Sequence, residues 1–219
     1  MKEVIVIGGG HSVKKGIELG LWENIKDKEV WSINFAFIFM PFLPKRELFY
    51  DTCFFKNKIN ELQKLQEQGV ELISKDAPIY DAYKGKVRTF EVCRIAKDQK
   101  ENNLFVGQLG LTGTMSLSLA IKENYDRIYL LGYDFGTPSY ENLNTHFYID
   151  QVTEKDIKSS GIRNNNVYLQ NNNAMVPGIR DFETFLPYKD KIINVSPESN
   201  IPYFERVDYD EFFRRIQAK

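Results

Sequence analysis

Val4-Ile5-Val6-Ile7-Gly8-Gly9-Gly10-His11-Ser12-Val13 sets the expected fold. Four consecutive β-branched residues read as a strand buried on both faces, the habit of a parallel sheet. Three glycines then end the strand, and a helical stretch follows from about Lys14 to Asn24. Strand, glycine turn and helix open a doubly wound α/β fold. Unpaired N–H groups at the start of such a helix suit a phosphate, and glycine lets the backbone approach it. A tight turn without a ligand satisfies the same residues. The run is not a dinucleotide fingerprint, because Val13 stands where the third glycine belongs and the second strand ends Ser32-Ile33-Asn34 without an acid. It is not a P-loop either, since no Gly-Lys-Ser/Thr follows.

Outward from this start, the pattern continues. Strands are expected at Glu29–Asn34, Asp51–Phe55, Val70–Ser74 and, more loosely, Val87–Val92. A helix is expected at Lys56–Gln68. Gly107, Gly110 and Gly113 punctuate a loop. Thr114–Asn124 then reads as a helix and Arg127–Leu131 as a strand closed by Gly132-Tyr133-Asp134. A polar, Asn-rich insertion over about 137–177 reads as a lid, because loops of that length inside a compact domain are usually functional. A helix at Ile179–Leu186, a strand at Lys191–Val195 and a helix at Asp208–Gln217 complete one domain over 1–219. Ligands of open α/β sheets bind outside the carboxyl ends of the strands. Residues 8–12, 112–114 and 132–136 are therefore expected to converge there, with Asn34 on the same edge.

The chain has 219 residues, enough for a sizeable core. Its 29 Lys+Arg against 30 Asp+Glu leave a net charge of -1, so bulk positive charge does not signal nucleic-acid binding. Cys53 and Cys93 are too few for a disulfide framework or a cysteine zinc site and read as buried thiols. No segment approaches the ~20 apolar residues of a membrane span. A cytoplasmic protein is expected.

Leu111-Thr112-Gly113-Thr114-Met115, followed by Ala120-Ile121 and Asp126 to Phe135, carries a hydroxyl-glycine pair, a helix, a strand and Gly-x-Asp. With the opening strand and Asn34, it resembles the bacterial sialyltransferases that use CMP-sialic acid. It is similar also to the related group of archaeal 6-hydroxymethylpterin pyrophosphokinase and many phage proteins. Lys191–Ser199 matches the strand and Ser-Pro ending of that group. The resemblance implies a Rossmann-like sheet and a nucleotide held by Gly8, Gly9, Gly10, Ser12, Asn34, Thr112, Gly113 and Gly132, with Asp134 closing the other side. Asn173–Gly178 has no histidine where those sialyltransferases carry the catalytic one, and Gly136 stands for an expected tyrosine. Both departures argue against sialic acid as the sugar.

His146 is the candidate general base, because imidazole titrates near neutrality, with Asp134 orienting it or contacting the ribose. His11 would contact phosphate or fill the turn. Lys155, Lys158, Arg163 and Arg180 offer charges to phosphate, and Tyr140, Tyr148 and Tyr168 offer rings for stacking. The expected function is a nucleotide-dependent transferase. Its first form is a glycosyltransferase with a nucleotide or nucleotide-sugar, no cofactor, and a small-molecule, glycan or modified nucleic-acid acceptor. Its alternative is a pyrophosphokinase using ATP and Mg²⁺, which Asp134 and His146 could share with the phosphates. A non-catalytic protein retaining the fold is the third reading. A homo-oligomer stays open.

Overall fold

A computed structural model describes residues 1–75, 87–90, 111–135, 146–148, 151–153, 156 and 179–218. Eight strands form one parallel sheet: β1 Glu3–Ile7, β2 Val30–Ile33, β3 Arg46–Phe49, β4 Glu71–Lys75, β5 Val87–Phe90, β6 Arg127–Leu131, β7 Ile192–Asn194 and β8 Glu205–Arg206. Their order is β5-β4-β3-β2-β1-β6-β7-β8. The chain builds outward from β1 to β5, then returns to the opposite side of β1. The switch point therefore falls between β1 and β6. The expected α/β fold with a Rossmann-like parallel sheet is what forms.

The opening apolar run explains itself in this sheet. Ile5 and Ile7 enter the core shared with α1 (Ser12–Glu18), α2 (Leu21–Ile25), α3 (Thr52–Glu67) and α5 (Tyr209–Gln217). Val4 and Val6 enter the opposite core with α4 (Thr112–Lys122) and the 3-10 segment Ile179–Lys191. Each face buries its own set, so every position of the strand must be apolar.

Local differences from the expected elements have physical reasons. The first helix breaks in two at Gly20, which adopts φ 82. Asp51–Phe55 is not a strand: Asp51 precedes α3, and Phe54 and Phe55 are buried on that helix. The true β3 is the preceding Arg46–Phe49, where Arg and Glu had hidden the pattern. Ile179–Lys191 is 3-10 rather than α-helical and contains Pro187, which has no N–H to donate to an α-helical i→i−4 bond. Cys53 is exposed on α3, not buried. Cys93, Gly107, Gly110 and most of 137–177 lie outside the described residues.

At the amino ends of the strands, Arg46 is 13% exposed and joins Glu71 at 2.6 Å and Glu123 at 2.6 Å. Its guanidinium lies over the Trp31 ring at 4.5 Å. Arg88 meets the same two acids at 3.2 and 3.0 Å. Arg46→Met should therefore lower stability by about 2 kcal/mol, because the half-buried Glu123 keeps only the exposed Arg88. Arg88→Met should cost under about 0.5 kcal/mol. Urea unfolding of the two variants reads the difference.

Candidate functional site

The glycine loop extends the β1–β6 pairing past the strands. Gly8 N–H donates to Leu131 O at 2.7 Å and Gly10 N–H to Gly132 O at 2.9 Å. Such close backbones leave no room for side chains. A Cβ on Gly8 would lie 2.9 Å from Gly132 O, and one on Gly10 would lie 2.6 Å from Asp134 Oδ2. One on Gly9 would meet the His146 ring at 2.4 Å and the Tyr148 hydroxyl at 2.8 Å. The three glycines are thus accounted for by contacts within the protein.

Asp134 is buried and its carboxylate is taken up by Ser12. Ser12 N–H donates to Oδ2 at 2.7 Å, and Ser12 Oγ donates to Oδ1 at 2.5 Å. An acid from β6's end therefore occupies the start of α1, the place expected for a ligand phosphate. The N–H groups of Gly8, Gly10, Ser12 and Val13 all have acceptors in the protein.

The start of α4 differs. Its N-cap Leu111 supplies no side-chain cap, and no acid lies in the first turn. Thr112 and Thr114 are buried, and the Thr114 hydroxyl donates to Leu111 O at 2.9 Å. Tyr133 ties this helix end to the glycine loop. Its ring lies 3.0 Å from where a Gly113 Cβ would be and 3.4 Å from that of Gly8. Its hydroxyl shares a 2.7 Å hydrogen bond with Ser116. Of the expected convergence of residues 8–12, 112–114 and 132–136, the part over 8–12, 112–114 and 132–135 is thus present, and Gly136 lies outside the described residues.

Asn34 follows β2 on the same edge, with φ 54, and Phe135 has φ 53. Asparagine takes left-handed backbone readily, whereas at Phe135 it is uncommon. Beneath Asn34 lies an acid the sequence did not single out, Glu47 of β3. It is fully buried and accepts from the Ser32 hydroxyl and the Asn34 N–H. Burial pushes its carboxyl well above the usual range. The Ser32↔Glu47 register was the missing signal, and it depends on recognising β3.

The segment 146–148 crosses the loop. His146 forms an antiparallel bridge with Gly10, and Phe147 N–H donates to Gly9 O at 2.8 Å. Tyr148 stacks on Phe39 with centroids 5.4 Å apart, so this candidate stacking ring is used in the core. Burial lowers the His146 pKa from 6.5 to about 4, so the imidazole is neutral at neutral pH but a weaker base than the near-neutral titration expected from the sequence. Lys155, Lys158, Arg163, Tyr140 and Tyr168 lie outside the described residues, and Arg180 is exposed. Among the described residues no cluster of His, Cys, Asp or Glu could hold a metal ion. No helix among them is long and apolar enough to cross a membrane.

The partly buried His146 and the fully buried Glu47 give stability a pH window. His146 has a folded pKa below its unfolded 6.5, so its contribution is complete above 6.5 and is lost as pH falls toward about 4. The loss reaches up to about 3 kcal/mol. Glu47 has a folded pKa above its unfolded 4.5, so its contribution is complete below 4.5 and is lost as pH rises through the folded value. Urea unfolding across pH should show the acid limb flattened in His146→Phe and the alkaline limb flattened in Glu47→Gln.

No family model matches the chain, and neither a curated protein nor a solved structure does.

Proposed function

We propose that the protein is a nucleotide-dependent transferase, in its simplest form a glycosyltransferase that moves a sugar from a nucleotide donor to an acceptor hydroxyl. The observation that carries this reading is the meeting of four segments at the switch point of an open parallel sheet. They are 8–12, 112–114, 132–135 and 146–148. The donor's phosphate belongs at the start of α4, whose N-cap Leu111 supplies no side-chain cap and whose first turn carries no acid. It does not belong at α1, where Asp134 already sits. Asn34 lies beyond β2 on the same edge and serves the base or ribose, since its amide both donates and accepts. His146 takes the acceptor's proton as the donor's carbon–oxygen bond breaks. The nucleotide then leaves carrying its phosphate charge.

A thermal-shift panel tests this. CMP or UDP without metal should raise the melting temperature, since a ligand at 100 Kd adds about 2.7 kcal/mol. His146→Ala should retain that shift and lose turnover. A shift confined to ATP with Mg²⁺, with AMP released, would assign the pyrophosphokinase reaction instead. A non-catalytic protein is the second reading, favoured by the filling of the glycine loop with the chain's own His146, Tyr148 and Asp134. No nucleotide would then shift the melting point.

A further inference from the structure

The segment Gly132–Phe135 leaves β6 with two left-handed residues, φ 70 at Gly132 and φ 53 at Phe135. Glycine takes this conformation freely, but at Phe135 it persists only where its surroundings hold it. The segment's carbonyls show what does. Gly132 O accepts from Gly10 N–H at 2.9 Å. The next three carbonyls are all served by the turn that follows β7. Tyr133 O accepts from Ser199 Oγ at 2.6 Å, Asp134 O from Asn200 N–H at 2.9 Å, and Phe135 O from Asn200 Nδ2 at 3.2 Å.

Ser199 is 2% exposed, and its hydroxyl is used to capacity. It donates to Tyr133 O and accepts from Asn194 Nδ2 at 2.9 Å and Ile201 N–H at 3.1 Å. Asn194, fully buried at the end of β7, adds a second donor to Tyr133 O at 3.3 Å. Asp134 is therefore gripped from two sides. Ser12 takes its carboxylate, and the 199–200 turn takes the backbone on which that carboxylate is mounted.

We propose that Ser199 and Asn200 are positioning residues that hold Asp134 against Ser12 and so set the shape of the site. The proposal rests on reading Asp134 as part of the transferase site. Its immediate consequence, the placement of Asp134, is visible without any ligand. The Ser12 amide, donating to Asp134 Oδ2, is the reporter, and it lies on a different element from the turn. A purely local role for the turn would change exchange only at 133–135 and 199–201.

The test is amide hydrogen exchange by NMR on the intact wild type, Ser199→Ala, Ser199→Thr and Asn200→Ala. Asn200→Ala removes the exposed side-chain bond to Phe135 O and keeps the backbone bond to Asp134 O, so it supplies an answer even if Ser199→Ala fails to fold. In Asn200→Ala the Ser12 amide should exchange about five- to tenfold faster, the opening of one hydrogen bond, while the amides of Val6 and Leu130 keep their protection. Ser199→Ala should do the same, and Ser199→Thr, which keeps the hydroxyl, should restore protection. CMP, UDP and ATP with Mg²⁺ added to the wild type report separately on the transferase reading, which fails if none shifts the melting point. An unchanged Ser12 amide in Asn200→Ala, or equal loss of protection throughout the sheet, overturns the positioning role.

Discussion

Gly132→Ala should lower stability by about 4 kcal/mol, a large loss for one added methyl. Two effects add. The backbone at Gly132 has φ 70, where an L-residue is strained by about 1–2 kcal/mol. The new Cβ would also lie 2.8 Å from Gly10 N, 2.9 Å from Gly8 O and 2.9 Å from Val13 Cγ2. The first two are backbone atoms fixed by the extended β1–β6 pairing, and Val13 is fully buried. None can turn aside, so overpacking supplies about 1–3 kcal/mol more. Gly69→Ala is the internal control. Its φ is 89, but nothing lies within 4 Å of the added carbon, so only the backbone strain of about 1–2 kcal/mol should appear. Urea midpoints of the two variants measure the difference. Equal losses would mean that the close approach of Gly8 and Gly10 to Gly132 is not rigid.

Asp134→Ala should cost about 2–3 kcal/mol. It removes the acceptor for both Ser12 donors, one a backbone N–H at the start of α1, and leaves them partly buried. Asp134→Asn should cost less, about 1 kcal/mol. Its amide oxygen can still accept from Ser12 N–H while its Nδ2 donates to a rotated Ser12 hydroxyl. A double-mutant cycle with Ser12→Ala should give a coupling energy of about 1–2 kcal/mol, read from the same unfolding curves. Additive losses would show that Asp134 stabilises the loop by packing alone.

Much of this was legible in the residues because of periodicity. Val4–Ile7, Val70–Ser74 and Arg127–Leu131 carry enough apolar residues to announce strands in the sheet. The convergence of residues 8–12, 112–114 and 132–135 followed from the fold rule for open sheets. What escaped was set by tertiary pairing. β3 is only four residues long and begins Arg-Glu, charges that find partners only in the folded sheet. Missing it also hid Glu47. The glycines were legible as a close approach, but not which atoms approach. The sequence pattern is the same whether a phosphate or Asp134 fills the space. Local spacing likewise gave no sign that Ser199 and Asn200 reach Tyr133, Asp134 and Phe135.

The central position of β1 has a consequence for how the chain acquires its fold. β1 pairs with β2 about 25 residues later, but its other edge waits for β6, and Lys2 N–H meets Asp126 across 124 positions. During synthesis more than half the chain must emerge before that edge is covered. Until then a row of unpaired strand groups and the second core's Val4 and Val6 face solvent. Contacts so distant in sequence close slowly, because the intervening loop must be gathered first. The β1–β6 seam that builds the site is therefore also the step at which the nascent chain is most exposed to pairing with a neighbour.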